Sequence, residues 1–140
     1  MNNSINIYTD GGARGNPGPS AIGVYIEDSD KKRIAGFGKA IGHATNNVAE
    51  YRAVVEALRW VFENEKKLKV TRVNLYLDSS LVCNQINGLF KIKNANLRNF
   101  LFEIRELESK INSSLYYTHV RRELNIEADK LVNHALDTSI

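Results

Sequence analysis

Polar and apolar positions along the chain switch between a two-residue and a 3.6-residue period, and the switches mark the elements. Around NIYTD (6–10), Ile5, Ile7 and Thr9 fall on one face of an extended strand, while Asn6, Tyr8 and Asp10 fall on the other. AIGVYIED (21–28) and RIAGFGKAIG (33–42), separated by the polar SDKK, read as a hairpin that follows it. Between them GGARGNPGPS (11–20) shows no period and several turn formers, which predicts a loop or hairpin connection. From Asn47 to about Lys67 the period becomes helical. Glu50, Val54, Leu58 and Val61 form one row beside Ala49, Ala53, Ala57 and Trp60, and Arg52, Glu56, Arg59 and Glu63 lie opposite. RVNLYLD (72–78) predicts a fourth strand, and SSLVCNQING (79–88) a short helix that Gly88 would end. Leu97, Phe100, Leu101, Ile104 and Ile111 mark an amphipathic helix from about residue 95. LYYTHV (115–120) reads as a fifth strand, and Ala128, Leu131, Val132 and Ala135 define a last helix.

The predicted order is β-β-β-α-β-α-α-β-α. Three strands meander first and strands then alternate with helices, so the fold class is α/β, a five-stranded mixed β-sheet flanked by helices. At 140 residues with 43% hydrophobic content, the chain fits one domain, 1–140, with a single core. Nineteen Lys and Arg stand against 16 Asp and Glu, a net charge of +3 that permits an anionic partner without demanding one. Cys83 is the lone cysteine, which excludes an internal disulfide and suits a reducing compartment. No apolar run reaches the roughly 18 residues of a spanning helix, and MNNSINIY lacks the regions of a signal peptide. The expectation is a soluble, cytoplasmic protein with no membrane partner.

Two strands end alike, NIYTD at 6–10 and NLYLD at 74–78. If they are sheet neighbours with matching ends, Asp10 and Asp78 project from one face at the carboxyl ends of strands, where open α/β sheets bind ligands. Each aspartate alone could start a turn or cap the next helix, as DSS at 78–80 would. Glu50 lies in line with Val54 and Leu58 on the apolar stripe, a costly place for a carboxylate without a partner or a metal. The plainer alternative puts it in the first helical turn, where the helix dipole favours an anion. Asp129 opens the last helix beside Ala128 and Leu131. Four converging carboxylates repel one another unless hard divalent cations with oxygen ligands separate them, as Mg²⁺ does. Two such ions about 4 Å apart can activate a water and stabilise the leaving oxygen of a phosphodiester. Zinc fits poorly, because Cys83, His43, His119 and His134 show no ligand spacing.

Four blocks in order, YTDGGARGNPGPS (8–20), TNNVAEYRAVVEAL (45–58), YLDSSLV (76–82) and HVRRELNIEADKLVNHA (119–135), resemble the type 1 ribonuclease H (ribonuclease HI) family over nearly the whole chain. The resemblance implies the ribonuclease H-like fold, with helices on both sheet faces. It carries the family's catalytic, metal-binding tetrad over to Asp10, Glu50, Asp78 and Asp129. It further implies Mg²⁺- or Mn²⁺-dependent endonucleolytic cleavage of the RNA strand of an RNA–DNA hybrid, leaving 5′-phosphate and 3′-hydroxyl ends. Asp10 would bridge two ions, Glu50 and Asp78 would complete one site, and Asp129 would help the other. Asn16, Asn46 and Asn47 would meet the hybrid's minor groove, where 2′-hydroxyls distinguish RNA from DNA. Thr45, with Asn16, resembles the family's pocket for a DNA-strand phosphate, and Thr45, Asn46 or Asn47 could equally be a helix cap. Ser80 stands where many members carry a glutamine that touches substrate.

Two departures mark a short form. The basic insertion that grips substrate in some members is reduced to NGLFKIKNANLRN, with only Lys91, Lys93 and Arg98, so modest, less salt-sensitive binding is expected. The histidine-bearing loop before the last aspartate is replaced by VRRELNIEAD, in which Arg122 is the candidate for a comparable place near the metals. A monomer acting on hybrid, with duplex RNA as an alternative substrate, is the expected working unit. The rival classes are a nucleic-acid-binding module with a decayed site, an ATP-handling domain, which would need a second such domain, and a nuclease of related fold with another substrate.

Overall fold

The computed structural model describes residues 3–139. Strands β1 (Ser4–Ala13), β2 (Gly18–Asp28) and β3 (Arg33–Ala44) meander antiparallel, and the 23-residue helix α1 (Asn46–Leu68) follows. Strand β4 (Arg72–Leu77), helices α2 (Ser80–Ile86) and α3 (Ala95–Lys110), strand β5 (Ser114–His119), a 3-10 turn (Arg122–Leu124) and helix α4 (Ile126–Thr138) complete the chain. The sheet order is β3-β2-β1-β4-β5, with β4 parallel to both β1 and β5. The predicted order and the mixed sheet are therefore what the chain forms. Among the described residues no helix is long and apolar enough to cross a membrane.

Period-two alternation divides the core between the sheet's faces. Ile5, Ile7, Val24, Ile26, Val73 and Leu75 pack with Tyr51, Val54, Leu58 and Val61 of α1, and α3 leans on α1 from outside. On the other face a smaller cluster joins Ala21 to Val132, Ala135 and Leu136 of α4. Two close approaches set the helices against the strands. A Cβ on Gly11 would overlap the backbone of Ala49 in α1, and one on Gly23 would overlap the carbonyl of Ala128 in α4. Only glycine lets both helix starts reach the same stretch of β1 and β2.

The first hairpin is longer than the sequence pattern suggests. Gly11–Ala13 and Gly18–Ser20 are strand, and only 14–17 form the connection. The cause lies in backbone pairing, since Gly11↔Ile22, Gly12↔Ala21 and Ala13↔Ser20 continue the antiparallel ladder whatever the side chains. Asp10 thus sits inside β1, opposite Gly23, rather than at its end.

Candidate active site

β1 and β4 run in parallel register, Tyr8 beside Tyr76 and Thr9 beside Leu77. The two tyrosine rings stack at 5.0 Å, and Asn74 Nδ2 donates to Asn6 Oδ1 at 3.2 Å. Asp10 and Asp78 each follow the last of these pairs. The cap of α2 is Ser79, whose Oγ accepts from the Val82 N–H at 3.2 Å, so Asp78 is not consumed as a cap. Thr45 caps α1 by accepting from the Val48 N–H at 3.2 Å. That start places Glu50 beyond the first turn, which holds no acidic residue, so the dipole explanation of Glu50 fails. Its side chain turns inward past Gly11.

Glu50 and Asp10 are each only 7% exposed. Carboxylate oxygens of Asp10, Glu50 and Asp78 lie within 4.8 Å of one another. Asp129, in the first turn of α4, lines the same cleft close enough to act on Asp10, but stands outside that tight trio. Burial first, then repulsion from Asp78, pushes the Asp10 carboxyl up to about 7; Asp129 adds to this and a hydrogen bond with Glu50 opposes it. Burial and the neighbouring Asp10 and Asp78 raise Glu50 well above the usual carboxylate range. Glu50 Oε1 accepts from the Gly11 N–H at 3.3 Å, whereas Oε2 is buried with no partner. A buried carboxyl oxygen without a donor is costly, and it is satisfied either by a proton, the direction in which both carboxyls are shifted, or by a hard cation. The donor set is all oxygen, as Mg²⁺ and Mn²⁺ prefer. Among the described residues, no other group of three or more metal-ligating side chains gathers this closely.

The remaining predicted residues divide between two hollows. Asn46, Asn47 and Arg122 line the acidic cleft, and Arg121 does not. Asn16, Thr45 and Asn47 border a second hollow of about 330 Å³ with Asn94 and Asn96. Asn16 Oδ1 accepts from the Asn46 N–H at 3.0 Å, and Asn46 Oδ1 from the Ala13 N–H at 2.8 Å. These asparagines pin the hairpin end to the start of α1. Ser80 is exposed on α2, and it is Ser79 that lines the cleft. His119 and His134 are exposed, and His43 borders a separate hollow near Pro19.

Two cleft residues, Arg14 and Asn133, and one buried residue behind the cleft, Asn125, escaped the sequence reading. Arg14, from the hairpin connection, lines the cleft while pairing with Asp137 at 2.6 Å. Asn133 Nδ2 donates to the Asp129 carbonyl at 3.2 Å, one helical turn back. Asn125 is fully buried, although its neighbours Leu124 and Ile126 are 65% and 52% exposed. An apolar-polar-apolar triplet ordinarily buries the apolar members, so no pattern signal could have found it.

Residues 8–135 match the family described as reverse transcriptase-like. The crystal structure of ribonuclease H1 from Halobacterium salinarum superposes with a TM-score of 0.87 at 38% identity, covering 97% of this chain and 99% of that one. The chain belongs to the ribonuclease H family. A second family member, a ribonuclease H1 isolated from compost and crystallised in complex with an RNA/DNA hybrid, superposes with a TM-score of 0.91 at 40% identity, covering 96% and 98%. A bifunctional protein of Mycobacterium tuberculosis is 37% identical over 134 residues. The chain spans 35% of that relative's length, and 64% of the curated Halobacterium ribonuclease HI. The ribonuclease H fold, not a two-domain nucleotide-binding arrangement, is thus the frame in which the cleft is read.

Proposed function

We propose that this protein is a metal-dependent endonuclease that hydrolyses the RNA strand of RNA–DNA hybrids. The observation that carries the reading is the trio of carboxylates, oxygens within 4.8 Å, in a cleft also lined by Asn46, Asn47 and Arg122. A ribonuclease H1 of the same fold was crystallised on such a hybrid, which supports the substrate class. Asp10, Glu50 and Asp78, with Asp129 beside them in the cleft, would hold two Mg²⁺ ions, with Mn²⁺ as a substitute. When bound, the ions would supply Lewis acidity to the attacking water and the leaving oxygen.

The chain's own residues do the positioning. Asn46 and Asn47 offer amide groups to 2′-hydroxyls and base edges, and Asn16 with Thr45 offers a seat for a backbone phosphate. Arg122 supplies a cation to charge growing on the scissile phosphate. In the reaction an oxygen–phosphorus bond forms from water, the bond from phosphorus to the 3′-oxygen breaks, and that oxygen takes a proton. The products are a 5′-phosphate and a 3′-hydroxyl.

The test compares labelled RNA–DNA hybrid, duplex RNA and duplex DNA side by side, with Mg²⁺ and with Mn²⁺. Cleavage of the RNA strand in the hybrid, lost in Asp10→Asn, is the expected result. Binding without cleavage under either metal would make the protein a binding module. Equal cleavage of duplex RNA would remove the hybrid specificity.

A further inference from the structure

Resting on the metal-dependent reading above, we infer that Asn125 is a positioning residue that ties the separately held parts of the acidic cluster together. It lies at the joint between the 3-10 turn and α4 and is inaccessible to solvent. Its Nδ2 donates to the Thr9 carbonyl at 2.9 Å and to Asp78 Oδ2 at 3.2 Å. Its own carbonyl accepts from the Asp129 N–H at 3.1 Å. One residue therefore touches the backbone next to Asp10, the carboxylate of Asp78, and the backbone of Asp129. Because two oxygens face the amide, the nitrogen must point toward them, so the assignment of Nδ2 follows from its partners.

The position calls for this chemistry. The β1–β4 ladder ends at Thr9 and Leu77, so no strand pairing fixes Asp78 beyond that point. Left alone, the Asp78 carboxylate would swing away from Asp10 and Glu50 under their mutual repulsion. An arginine or lysine could restrain it, but would bring a positive charge that competes with a cation. The neutral amide restrains it without that competition, leaving the other Asp78 oxygen for a metal. Asn125 Oδ1 is buried without a partner, so the fold tolerates one unsatisfied acceptor to keep both donors in place.

The experiment compares the parent protein with Asn125→Ala and Asn125→Ser. Serine suits the start of a helix, yet its single hydroxyl cannot span both acceptors. Mn²⁺ affinity is read by calorimetry, metal-free melting by circular dichroism, and turnover of hybrid as a function of Mg²⁺ concentration. The expected result is a loss of about 10- to 100-fold in Mn²⁺ affinity in both variants, with turnover recovering as Mg²⁺ is raised. A variant with a lower metal-free melting temperature but unchanged Mn²⁺ affinity and Mg²⁺ dependence would overturn the inference, since Asn125 would then serve only the fold. Failure of both variants to fold would overturn it likewise. If the parent itself binds no Mn²⁺, the metal-dependent reading fails first and the inference falls with it.

Discussion

Helix α1 carries two buried glutamates that look alike by exposure, Glu50 and Glu65, each at 7%. Their surroundings are opposite. Glu65, near the helix end, accepts from the Asn112 N–H at 3.1 Å, the Ser113 N–H at 2.9 Å and the Ser113 hydroxyl at 2.8 Å. It is an acceptor around which the α3–β5 connection folds. Glu50 receives one long backbone bond from Gly11, keeps its other oxygen without a protein donor, and faces two more carboxylates. Burial of an acid says only that something must compensate it. Where protein donors do so the residue serves the fold, and where other acids crowd it the compensation has to come from outside the chain.

That contrast can be broken by exchange of function for stability. The largest effect is expected for Glu50→Gln, which keeps the shape and removes the charge. Hybrid cleavage should fall by at least on the order of 10³-fold, while the metal-free melting temperature holds or rises. Retained cleavage would remove Glu50 from the site. Next, Arg122→Ala should slow turnover by roughly 10- to 100-fold, with Arg121→Ala within about twofold of the parent. Equal effects would show that neither guanidinium reaches the reacting phosphate. Glu65→Ala should do the reverse of Glu50→Gln. It leaves amides of the α3–β5 connection without their acceptor, costing about 1–3 kcal/mol in a denaturant titration, with turnover per folded molecule unchanged.

The smallest effect sharpens the electrostatic side of the comparison. In the folded metal-free protein Asp10 keeps its proton up to about pH 7, whereas the unfolded chain releases it near the ordinary 3.8. Between those values the folded state binds more protons, so the stability from this group is full below about pH 4 and declines as pH rises toward 7. Metal-free melting temperature should therefore fall over that window, and Asp10→Asn should flatten the fall. Saturating Mg²⁺ should offset it in the parent, since the ion takes the place of the proton. A pH-independent difference between parent and Asp10→Asn would show that Asp10 is not buried among like charges.

Much of this contrast was legible before folding. The inward row of Glu50 with Val54 and Leu58 marked an acid on an apolar stripe, and the echo of NIYTD and NLYLD put two aspartates on one face provided the strands were neighbours, which they are. Glu65 went unnoticed because what compensates it comes from Asn112 and Ser113, nearly fifty residues away and on an ordinary polar turn. The extension of β1 past Asp10 was hidden for another reason. Glycine-rich sequence advertises turns, yet Gly11 and Gly12 serve here as strand residues, and Gly11 makes room for α1.

By itself the sequence determined the element order, the alternation that faces Asp10 and Asp78 the same way, and the acid at Glu50 on the apolar stripe of α1. These are properties of local periodicity and residue type, which the chain carries with it. Only tertiary structure decided which acids crowd together, which buried glutamate is satisfied, and that Asn125 joins the Thr9 backbone, the Asp78 carboxylate and the start of α4. Such facts depend on distances between residues remote in sequence, and hydrogen bonds and repulsions a few ångströms long exist only after the sheet and helices have closed around them.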